Sequence, residues 1–329
     1  MPARRYWGAS RKEVDITLKM QKDKKVFIAG DEGMIGAAIA RRLREKGFTS
    51  VVMKNPAGLD LSNQQEVFNL FKLEKPEYVF LASSKIGGIQ ANSKYPADFI
   101  YANLQSQNNV IHASWQSGVK KLLFLASSCI YPKSCPQPMK EEYLLTGPLE
   151  PTSEPYAIAK IAGIRMCQSY RQQHGANFIA AVPSDLYGPG DDFNPETGHV
   201  LPGLIARMHR AKMRSEENVV VWGTGTPRRE AFHVDDLAEV CLFLMDNYDG
   251  SEMINAGSGQ DIAIGELAGL VKEVVGYKGE IVLDRSKPDG APRKLLDVTK
   301  IRKLGWAPGI SMEQGIRQTY QWYLQHEAS

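Results

Sequence analysis

Tyr156 and Lys160 are the two residues whose types and spacing most clearly permit chemistry. They stand four positions apart in residues 156–173, a stretch predicted to be helical, so both side chains lie on one helix face. An ammonium beside a phenol favours the ionised phenol, which predicts a Tyr156 pKa displaced from its ordinary value near ~10 towards neutrality. A shift of about three units requires roughly 4 kcal/mol of differential stabilisation. The pair therefore predicts a proton donor beside a site of hydride transfer.

Ser127 and Cys129 follow an apolar strand predicted at residues 121–126. A hydroxyl at a strand end can hydrogen-bond a substrate oxygen and the Tyr156 phenol, or merely satisfy a backbone group. If the chain stays extended, Cys129 lies on the same face as Ser127. A thiolate, with a pKa near ~8.5, is a suitable base for a carbon acid next to a ketone. The alternative for Cys129 is a small buried apolar residue.

His199 comes after a loop rich in Gly, Pro, Asp and Asn and before a helix predicted at residues 201–212. An imidazole there can return a proton to a carbanion from the side opposite to a base. The alternative is an ordinary loop or capping residue.

Cations in the second half of the chain can together clamp a nucleotide diphosphate, because the arginine fork matches phosphate oxygens. Taken singly, each is more often a solvated charge. These cations are Arg207, Arg229, Arg293 and Lys294.

Three glycines mark a turn between a strand predicted at residues 26–29 and a helix predicted at residues 34–46. Their spacing lets backbone N–H groups approach a pyrophosphate at the positive end of the helix. The predicted dinucleotide site at this turn consists of Gly30, Gly33, Met34, Ile35 and Gly36.

The end of the second strand indicates which dinucleotide is bound. The carboxylate that commonly binds a ribose there is absent, and Lys54 offers a cation to the extra phosphate of NADP. Asp31 and Glu32 in the glycine turn oppose that phosphate unless they point to solvent. The sequence favours NADP, as NADPH, over NAD, with Tyr156 and Lys160 completing the cofactor site.

Apolar runs alternate with amphipathic stretches, which predicts an α/β fold with a Rossmann-type, doubly wound parallel sheet and a smaller C-terminal mixed α/β substrate domain. Ligands of such sheets bind outside the carboxyl ends of the strands. Further strands are predicted at 51–53, 78–82, 178–182 and 219–222, and further helices at 63–73, 96–117 and 235–246, the last running into residues 253–255. Residues 264–275, 280–283 and 311–325 are predicted to form a small mixed α/β region. The predicted divisions are an N-terminal extension at 1–24, a dinucleotide-binding domain at 25–188 and 229–256, and a substrate domain at 189–228 and 257–329.

Composition argues against several classes of function. The 329 residues are 43% hydrophobic and 23% charged, and no apolar run approaches membrane-spanning length. A net charge of +3 is too small to indicate a nucleic-acid partner. Four cysteines without a CxxC pair fit a reducing compartment, with cytoplasm as the default. No His, Cys or Asp grouping has metal-ligand spacing, so no metal is expected.

The order of the glycine turn, Ser127, Tyr156 and Lys160 resembles the extended short-chain dehydrogenases/reductases. Longer motifs are similar to the GDP-L-fucose synthases, and the similarity runs from about Lys25 to the end of the chain. These motifs are residues 85–89, 127–133, 154–160, 186–189 and 287–294.

In that family an NADPH-dependent enzyme takes GDP-4-keto-6-deoxy-D-mannose, inverts C3 and C5 and then reduces C4. The resemblance implies that Cys129 is the base and His199 the acid of the inversions. It implies that Ser127, Tyr156 and Lys160 serve the reduction, and that the protein is a homodimer. The implied nucleotide-sugar site consists of Lys85, Arg207, Trp222, Arg229, Lys287 and Arg293.

Three positions depart from the family pattern. Glu32 and Pro56 stand where bacterial members carry arginines. Asp185 stands where an asparagine is more usual, which bears on contacts to the nicotinamide or the substrate.

Two other functions stay open on the sequence. A nucleotide-sugar 4-epimerase or 4,6-dehydratase shares the glycine turn and the Tyr/Lys helix. A dehydratase, however, needs an acidic pair where Cys129 and Ile130 stand, and a 4-epimerase needs neither thiol nor imidazole for carbon-proton transfer. A non-catalytic dinucleotide-binding protein would not need Ser127, Tyr156 and Lys160 together.

Overall fold

The computed structural model describes residues 19–30, 32–53, 59–87, 89–194 and 198–328. Of the described helices, none is both long and apolar enough to cross a membrane. Lys54, Pro56 and Asp31 lie outside the described residues, as do residues 1–18 of the predicted extension. The elements in chain order are β1 (Val26–Ala29), α1 (Met34–Glu45), β2 (Val51–Val52), α2 (Gln64–Glu74), β3 (Tyr78–Leu81), α3 (Ile89–Lys94), α4 (Pro96–Gln116), β4 (Lys121–Leu125), α5 (Glu154–His174), β5 (Phe178–Pro183), β6 (Asp185–Tyr187), α6 (Val200–Met213), β7 (Asn218–Trp222), β8 (Arg228–Arg229), β9 (Ala231–His233), α7 (Val234–Asn247), β10 (Ile254–Ala256), β11 (Ile262–Ala263), α8 (Ile264–Val275), β12 (Glu280–Asp284), β13 (Arg293–Lys294), α9 (Thr299–Lys303) and α10 (Met312–His326).

Six parallel strands form the main sheet, in the order β10-β5-β4-β3-β1-β2. The chain runs from β1 to β2 on one side and then crosses to β3 on the other side of β1, so the winding reverses between β1 and β3. Ligands of doubly wound sheets bind at such a reversal. Every residue of β1, β3, β4 and β5 is buried, as expected of strands covered on both faces. The predicted Rossmann-type parallel sheet is confirmed.

The register of the sheet aligns the carboxyl ends of four strands. Ala29 in β1 is paired with Leu81 in β3, and Leu125 in β4 is paired with Ala181 in β5. The residues just beyond these ends therefore share one edge of the sheet, and they are Gly30, Ser83, Ser84, Ser127 and Ser184.

Helix α5 delivers two of the predicted catalytic residues to this edge. Glu154 and Pro155 occupy its first turn, where an acidic side chain and a proline are both favoured, and Gly175 ends it with φ +67°. A Cβ at Gly163 would lie 2.4 Å from Cζ of Phe124. Gly163 thus allows α5 to pack closely against β4, which places the first turns of the helix beside the end of that strand.

A second, smaller hydrophobic core is built from α6, α8 and α10 together with β7 and β12. β7 and β12 pair in parallel, whereas β11 pairs antiparallel with β8, so this part of the chain is a mixed α/β region. Leu296, Val298, Ile301 and Trp306 pack in the first core although they lie late in the chain. Two cores support a two-part organisation, and the domain boundaries given above stay a prediction.

Helix α7 returns to the first part of the chain and packs against α1. Arg41 pairs with Asp235 and Arg42 with Glu239, residues that are 194 and 197 positions apart. The next strand, β10, then extends the main sheet by pairing with β5. The first core is therefore completed by residues from the second half of the sequence.

Candidate active site

The glycine turn forms a cradle at the N-terminus of α1. Gly30 has φ +97°, and a Cβ there would lie 2.6 Å from the backbone N and Cα of Ser83, so only glycine fits. Gly33 is the N-cap of α1, and its N–H donates to the Gly30 carbonyl oxygen at 3.3 Å. The helix has no acidic residue in its first turn, and its first N–H groups have no partner within the helix. The half-buried or buried residues that follow are Met34, Ile35 and Gly36.

A cavity of about 270 Å³ lies beside this turn. Glu32, Asp60, Ser84 and Lys85 line it together with Gly30. A turn without Cβ, a helix N-terminus and adjoining space are what a dinucleotide requires, with its pyrophosphate against α1. The described residues of the predicted cofactor site thus fit the group; Lys54 lies outside the described residues.

Tyr156 lies in the first turn of α5, with its phenol among hydroxyl groups. Tyr156 Oη is 3.3 Å from Ser84 Oγ, and the Ser127 side chain hydrogen-bonds the same phenol. Burial raises the pKa of Tyr156 and Cys129 raises it further, while the two serine hydrogen bonds act against them. The predicted shift towards neutrality is therefore wrong for this environment, because desolvation of the phenolate outweighs the hydrogen bonds. The phenol is held protonated, as a proton donor requires.

Lys160 is buried one turn further along α5. Its Nζ donates to the Leu125 carbonyl oxygen at 3.0 Å and lies 5.8 Å from the centroid of the Tyr156 ring. It also stands 5.0 Å from the centroid of the Phe124 ring. Burial lowers the pKa of Lys160 to about 8, and Cys129 acts in the opposite direction. The ammonium is thus anchored to the last residue of β4, which fixes its place beside Tyr156.

Cys129 lies in a turn, so the assumption of an extended chain after Ser127 is wrong. Residues Ser128–Ile130 form a short 3₁₀ helix, in which the Ile130 N–H donates to the Ser127 carbonyl oxygen at 3.2 Å. The turn nevertheless keeps the half-buried thiol in the site, where it is hydrogen-bonded with the Ser127 side chain. Cys129 also acts electrostatically on Tyr156 and Lys160.

The charge state of this thiol is set by opposing influences. Burial raises the pKa of Cys129 most strongly, and Asp185 in β6 adds to that effect. The Ser127 hydrogen bond, Lys294 in β13 and Lys160 each lower it. Thiol, phenol and ammonium form one electrostatically linked group at the carboxyl edge of the sheet.

His199 is the N-cap of α6 and is exposed. Its carbonyl oxygen accepts from the Gly203 N–H at 3.0 Å, and its side chain makes no capping hydrogen bond. His199 acts to lower the pKa of Asp191 in the preceding loop, against the larger effect of burial. The structure brings Ser127, Cys129 and the Tyr/Lys pair into contact, and among the described contacts none joins His199 to them.

Three of the predicted sugar-nucleotide residues lie around the end of β7. Arg207 on α6 donates from Nη1 to the Val220 carbonyl oxygen at 3.0 Å. Trp222 at the end of β7 is 63% exposed, and Lys287 Nζ lies 5.6 Å from the centroid of its ring. An exposed aromatic face with a lysine over it, on a strand that also contacts an arginine, suits a base and its phosphates.

The other three residues are spread more widely. Arg229 in β8 donates to the Ala291 carbonyl oxygen at 2.6 Å, which ties it to the 287–294 motif. Arg293 forms an ion pair with Asp261. Lys85 lies on the cavity beside the glycine turn, where its Nζ is 3.4 Å from a carboxylate oxygen of Asp98.

Ser84 is a site residue that the sequence analysis did not single out. Its Oγ donates to Oδ1 of the buried Asn103 at 2.8 Å, and the same Oδ1 accepts from the Lys85 N–H at 3.0 Å. Asn103 thus orients the hydroxyl that faces Tyr156. Ser84 lies just beyond β3, as Ser127 lies just beyond β4. This position after a buried strand could have predicted Ser84 as a site residue from the sequence.

Comparison with known proteins gives a consistent result. The chain matches the NAD dependent epimerase/dehydratase family over residues 26–257. It is 57% identical over 312 residues to GDP-L-fucose synthase 1 of Arabidopsis thaliana, an alignment that covers 95% of this chain and 97% of the relative.

Two solved structures extend the comparison. A GDP-6-OMe-4-keto-L-xylo-heptose reductase from C. jejuni has a TM-score of 0.89 and 40% identity, covering 94% of this chain and all (100%) of that one. A GDP-L-fucose synthetase from Naegleria fowleri bound to NADP has a TM-score of 0.88 and 28% identity, covering 94% and 95%. Because the family match spans most of the chain and the plant relative aligns almost from end to end, this chain belongs to the NAD-dependent epimerase/dehydratase family and, within it, to the GDP-L-fucose synthases.

Proposed function

We propose that this protein converts GDP-4-keto-6-deoxy-D-mannose into GDP-L-fucose, with NADPH as the reductant. The observation that carries the proposal is the convergence of Ser127, Cys129, Tyr156 and Lys160 beside the cradle at the N-terminus of α1. A ketone reductase needs a proton donor and a dinucleotide. A ketone reductase does not need the Cys129 thiol. A thiol is needed, however, as a base for the inversion of a carbon centre. The name of the plant relative and the NADP bound to the Naegleria synthetase support the same conclusion.

The inversions use the acidity that the C4 ketone gives to C3 and C5. The Cys129 thiolate removes the proton from one of these carbons and becomes a thiol, while the electron pair moves towards the C4 oxygen. The hydroxyls of Ser127 and Tyr156 stabilise the charge that develops there. His199, as an imidazolium, donates a proton to the opposite face of the carbon and becomes neutral. Exchange with water restores both groups for the second centre.

The reduction uses the same carbonyl. Bound NADPH supplies a hydride for C4. Tyr156, which burial keeps protonated, gives its proton to the C4 oxygen while Ser127 holds that oxygen in place. The Lys160 ammonium beside the phenol ring then stabilises the phenolate until it is reprotonated.

Deuterium incorporation separates the two halves of the reaction. Incubation with GDP-4-keto-6-deoxy-D-mannose in heavy water without NADPH is expected to place deuterium at C3 and C5, and NADPH is then expected to yield GDP-L-fucose. Cys129→Ser should lower the exchange on the order of 10²-fold or more, because the base is lost. Tyr156→Phe should lower reduction by a similar factor and lower exchange much less, because the base remains and the Ser127 hydroxyl still stabilises the charge on the C4 oxygen. Mass spectrometry and NADPH absorbance measure the two steps.

The reverse pattern in the two variants would overturn the assignment of roles. Reduction without any exchange in the wild-type protein would instead indicate a simple 4-keto reductase, the activity that the name of the C. jejuni structure describes. An NAD that stays bound through purification, without net reduction, would indicate a 4-epimerase.

The same proposal covers the setting of the enzyme. A homodimer is supported by exposed apolar side chains on the paired helices α4 and α5, where Tyr101 is 63% and Ile158 is 43% exposed. A cytoplasmic location is supported by four cysteines that are all free. The partner is a small nucleotide sugar, with no nucleic acid involved.

A further inference from the structure

Ser84 carries a hydroxyl group that the mechanism above does not use. Its Oγ lies 2.8 Å from Asn103 Oδ1 and 3.3 Å from Tyr156 Oη. A serine hydroxyl has one hydrogen to donate, so it serves one of these two oxygens at a time. The shorter distance indicates that Asn103 accepts this hydrogen while Tyr156 is a neutral phenol.

Asn103 is 3% exposed and holds the chain around Ser84 by four hydrogen bonds. Its Oδ1 accepts from Ser84 Oγ and from the Lys85 N–H at 3.0 Å. Its Nδ2 donates to the carbonyl oxygens of Lys85 and Phe99 at 3.0 and 2.7 Å. Because Oδ1 keeps the Lys85 N–H, the Ser84 hydroxyl can turn away without leaving a buried acceptor unpaired.

The backbone before Ser84 is held from the other side by the glycine turn. A Cβ at Gly30 would lie 2.6 Å from the backbone N and Cα of Ser83, so the two segments are in close contact. With the backbone fixed on both sides, the Ser84 hydrogen changes its acceptor by rotation about the Cβ–Oγ bond. This rotation requires no movement of the chain.

The phenolate that the reduction produces needs a hydrogen-bond donor at its oxygen. Among the described contacts, Lys160 Nζ approaches the phenol only at its ring, 5.8 Å from the centroid. The Ser127 side chain hydrogen-bonds Cys129 as well as Tyr156, and in the proposed mechanism it also holds the C4 oxygen. The hydrogen bond from Ser84 lowers the pKa of Tyr156, against the larger effect of burial. Ser84 is therefore placed to donate to the phenolate while Ser127 stays with the substrate.

We propose that Ser84 is a catalytic residue of the reduction: its hydroxyl turns from Asn103 to Tyr156 when the phenol loses its proton, and it stabilises the phenolate oxygen. The inference rests on the proposed function, in which the reduction ionises Tyr156. C4 receives a hydride from NADPH, and the O–H bond of Tyr156 breaks as its proton passes to the C4 oxygen. The O–H bond of Ser84 stays intact, and water then returns a proton to Tyr156.

Ser84→Ala tests this role through the two halves of the reaction. The kcat of reduction should fall roughly tenfold or more, because a hydrogen bond to a charged oxygen is lost. The KM of the sugar nucleotide should not change, because the phenolate forms only during the reaction. Deuterium exchange at C3 and C5 without NADPH should fall much less, since it leaves Tyr156 protonated.

Ser114→Ala is the matched control for the loss of a hydroxyl. Ser114 is buried in α4, the helix that also carries Asn103, and its Oγ donates to the Val110 carbonyl oxygen at 2.7 Å. The hydroxyl has no described contact with Tyr156, so its removal should change neither reduction nor exchange.

The pH dependence of the reverse reaction supplies a second readout. Oxidation of GDP-L-fucose by NADP⁺ needs Tyr156 as a phenolate, which takes the proton of the C4 hydroxyl. The rate should therefore rise with pH, and this rise should move to higher pH by about half a unit or more in Ser84→Ala. Ser84→Thr keeps a hydroxyl at this position and should restore most of the reduction and the wild-type profile.

Two results would overturn the role of Ser84 alone. One is reduction by Ser84→Ala as fast as by Ser114→Ala. The other is an equal loss in Ser84→Ala and Ser84→Thr, which would show that packing, and not the donated hydrogen, determines the rate. A wild-type protein that does not reduce the 4-keto sugar with NADPH would instead overturn the proposed function.

Discussion

At the scale of single residues, the pKa of the Cys129 thiol responds to one carboxylate and two ammonium groups. Asp185 raises its pKa, whereas Lys294 and Lys160 lower it, all against a larger effect of burial. Only the thiolate can act as the base. The fraction of active enzyme at neutral pH therefore depends on residues that do not themselves touch the reacting carbon.

Asp185→Asn is expected to lower the pKa of the Cys129 thiol, because it removes the nearby negative charge. The pH dependence of iodoacetamide alkylation at Cys129, followed by mass spectrometry, should move to lower pH by about half a unit or more. The pH profile of exchange at C3 and C5 should move in the same direction.

Lys294→Met is expected to change the pKa of the Cys129 thiol in the direction opposite to Asp185→Asn. It removes a positive charge that lowers the thiol pKa, so both profiles should move to higher pH. Shifts of the same sign in the two variants would show that packing, and not charge, governs the thiol.

The sequence identified Tyr156, Lys160, Ser127 and Cys129 because motif spacing fixes which residues share a helix face or follow a strand. It did not identify Ser84 as the second hydroxyl against the phenol, since that contact spans 72 positions and depends on the pairing of β3 with β4. It also misjudged the direction of the Tyr156 pKa, because burial is a property of the folded site. A charge pattern along the chain contains no measure of desolvation.

At the scale of elements, the approach of α5 to β4 depends on one missing side chain. The Cβ of an alanine at position 163 would lie 2.4 Å from Phe124 Cζ and 3.0 Å from Gln107 Oε1. Phe124 also lies under the Lys160 ammonium. Any shift of the ring thus reaches the catalytic lysine.

Gly163→Ala is expected to destabilise the protein by about 1–3 kcal/mol through overpacking. It should also lower reduction, since α5 and Phe124 must separate. Urea unfolding gives the free energy of unfolding, and NADPH absorbance gives the rate.

Gly269→Ala is the control for this substitution. Gly269 lies on the exposed side of α8 with no atom within 4 Å of a new Cβ, so alanine should stabilise the protein by about 0.5–1 kcal/mol. Equal effects of the two alanines would show that helix propensity, and not the contact with Phe124, decides the outcome.

The long helices and buried strands of this chain could be predicted because their periodicity lies within one segment. The helix predicted at residues 96–117 matches α4, and the strand predicted at residues 26–29 matches β1. Short strands such as β8 and β6 were not predicted, because a segment of two or three residues shows no hydrophobic periodicity. Their formation depends on pairing with strands that are distant in sequence. The 3₁₀ turn at Ser128–Ile130 was not predicted for a similar reason, since a single turn is too short to show a repeating pattern of residue types.

At the scale of the whole molecule, Glu230 joins three segments of the chain. It is 1% exposed between β8 and β9, and its Oε1 accepts from the Gly259 N–H at 2.6 Å. Its Oε2 accepts from the Leu296 N–H at 2.7 Å. Burial raises the pKa of Glu230 from 4.5 to about 7, which favours the protonated carboxyl in the folded state.

Glu230→Gln is expected to lower the free energy of unfolding by about 1–3 kcal/mol, because an amide NH₂ replaces one acceptor and faces a backbone N–H. The loss should be larger at pH 5 than at pH 8. The favourable contribution of the raised pKa is complete below 4.5 and disappears as the pH rises through about 7.

Urea unfolding of both proteins at pH 5 and pH 8 measures how much the loss of unfolding free energy caused by Glu230→Gln differs between the two pH values. Glu273→Gln, on the exposed side of α8, is the control and should change stability little at either pH. A gap that does not depend on pH would show that Glu230 does not titrate in this range.

The proposed homodimer has its own test at this scale. Ile158→Glu places a charge on the exposed apolar face of α5 and should halve the molar mass measured by light scattering. Leu324→Glu, a similarly exposed position on α10 at 46%, should leave the mass unchanged. A wild-type protein with the mass of one chain would contradict the proposal.

Because α1 packs against α7, α1 cannot complete its packing during biosynthesis until α7 has been synthesised. Their ion pairs join residues 194 and 197 positions apart, and at 5–20 residues per second a ribosome needs roughly 10 to 40 s to span that distance. Throughout that interval the nascent N-terminal half displays an apolar helix face with nothing to cover it. Truncated chains that stop before α7 should therefore aggregate or bind chaperones. An early stop codon would then abolish the activity and also produce an aggregation-prone protein.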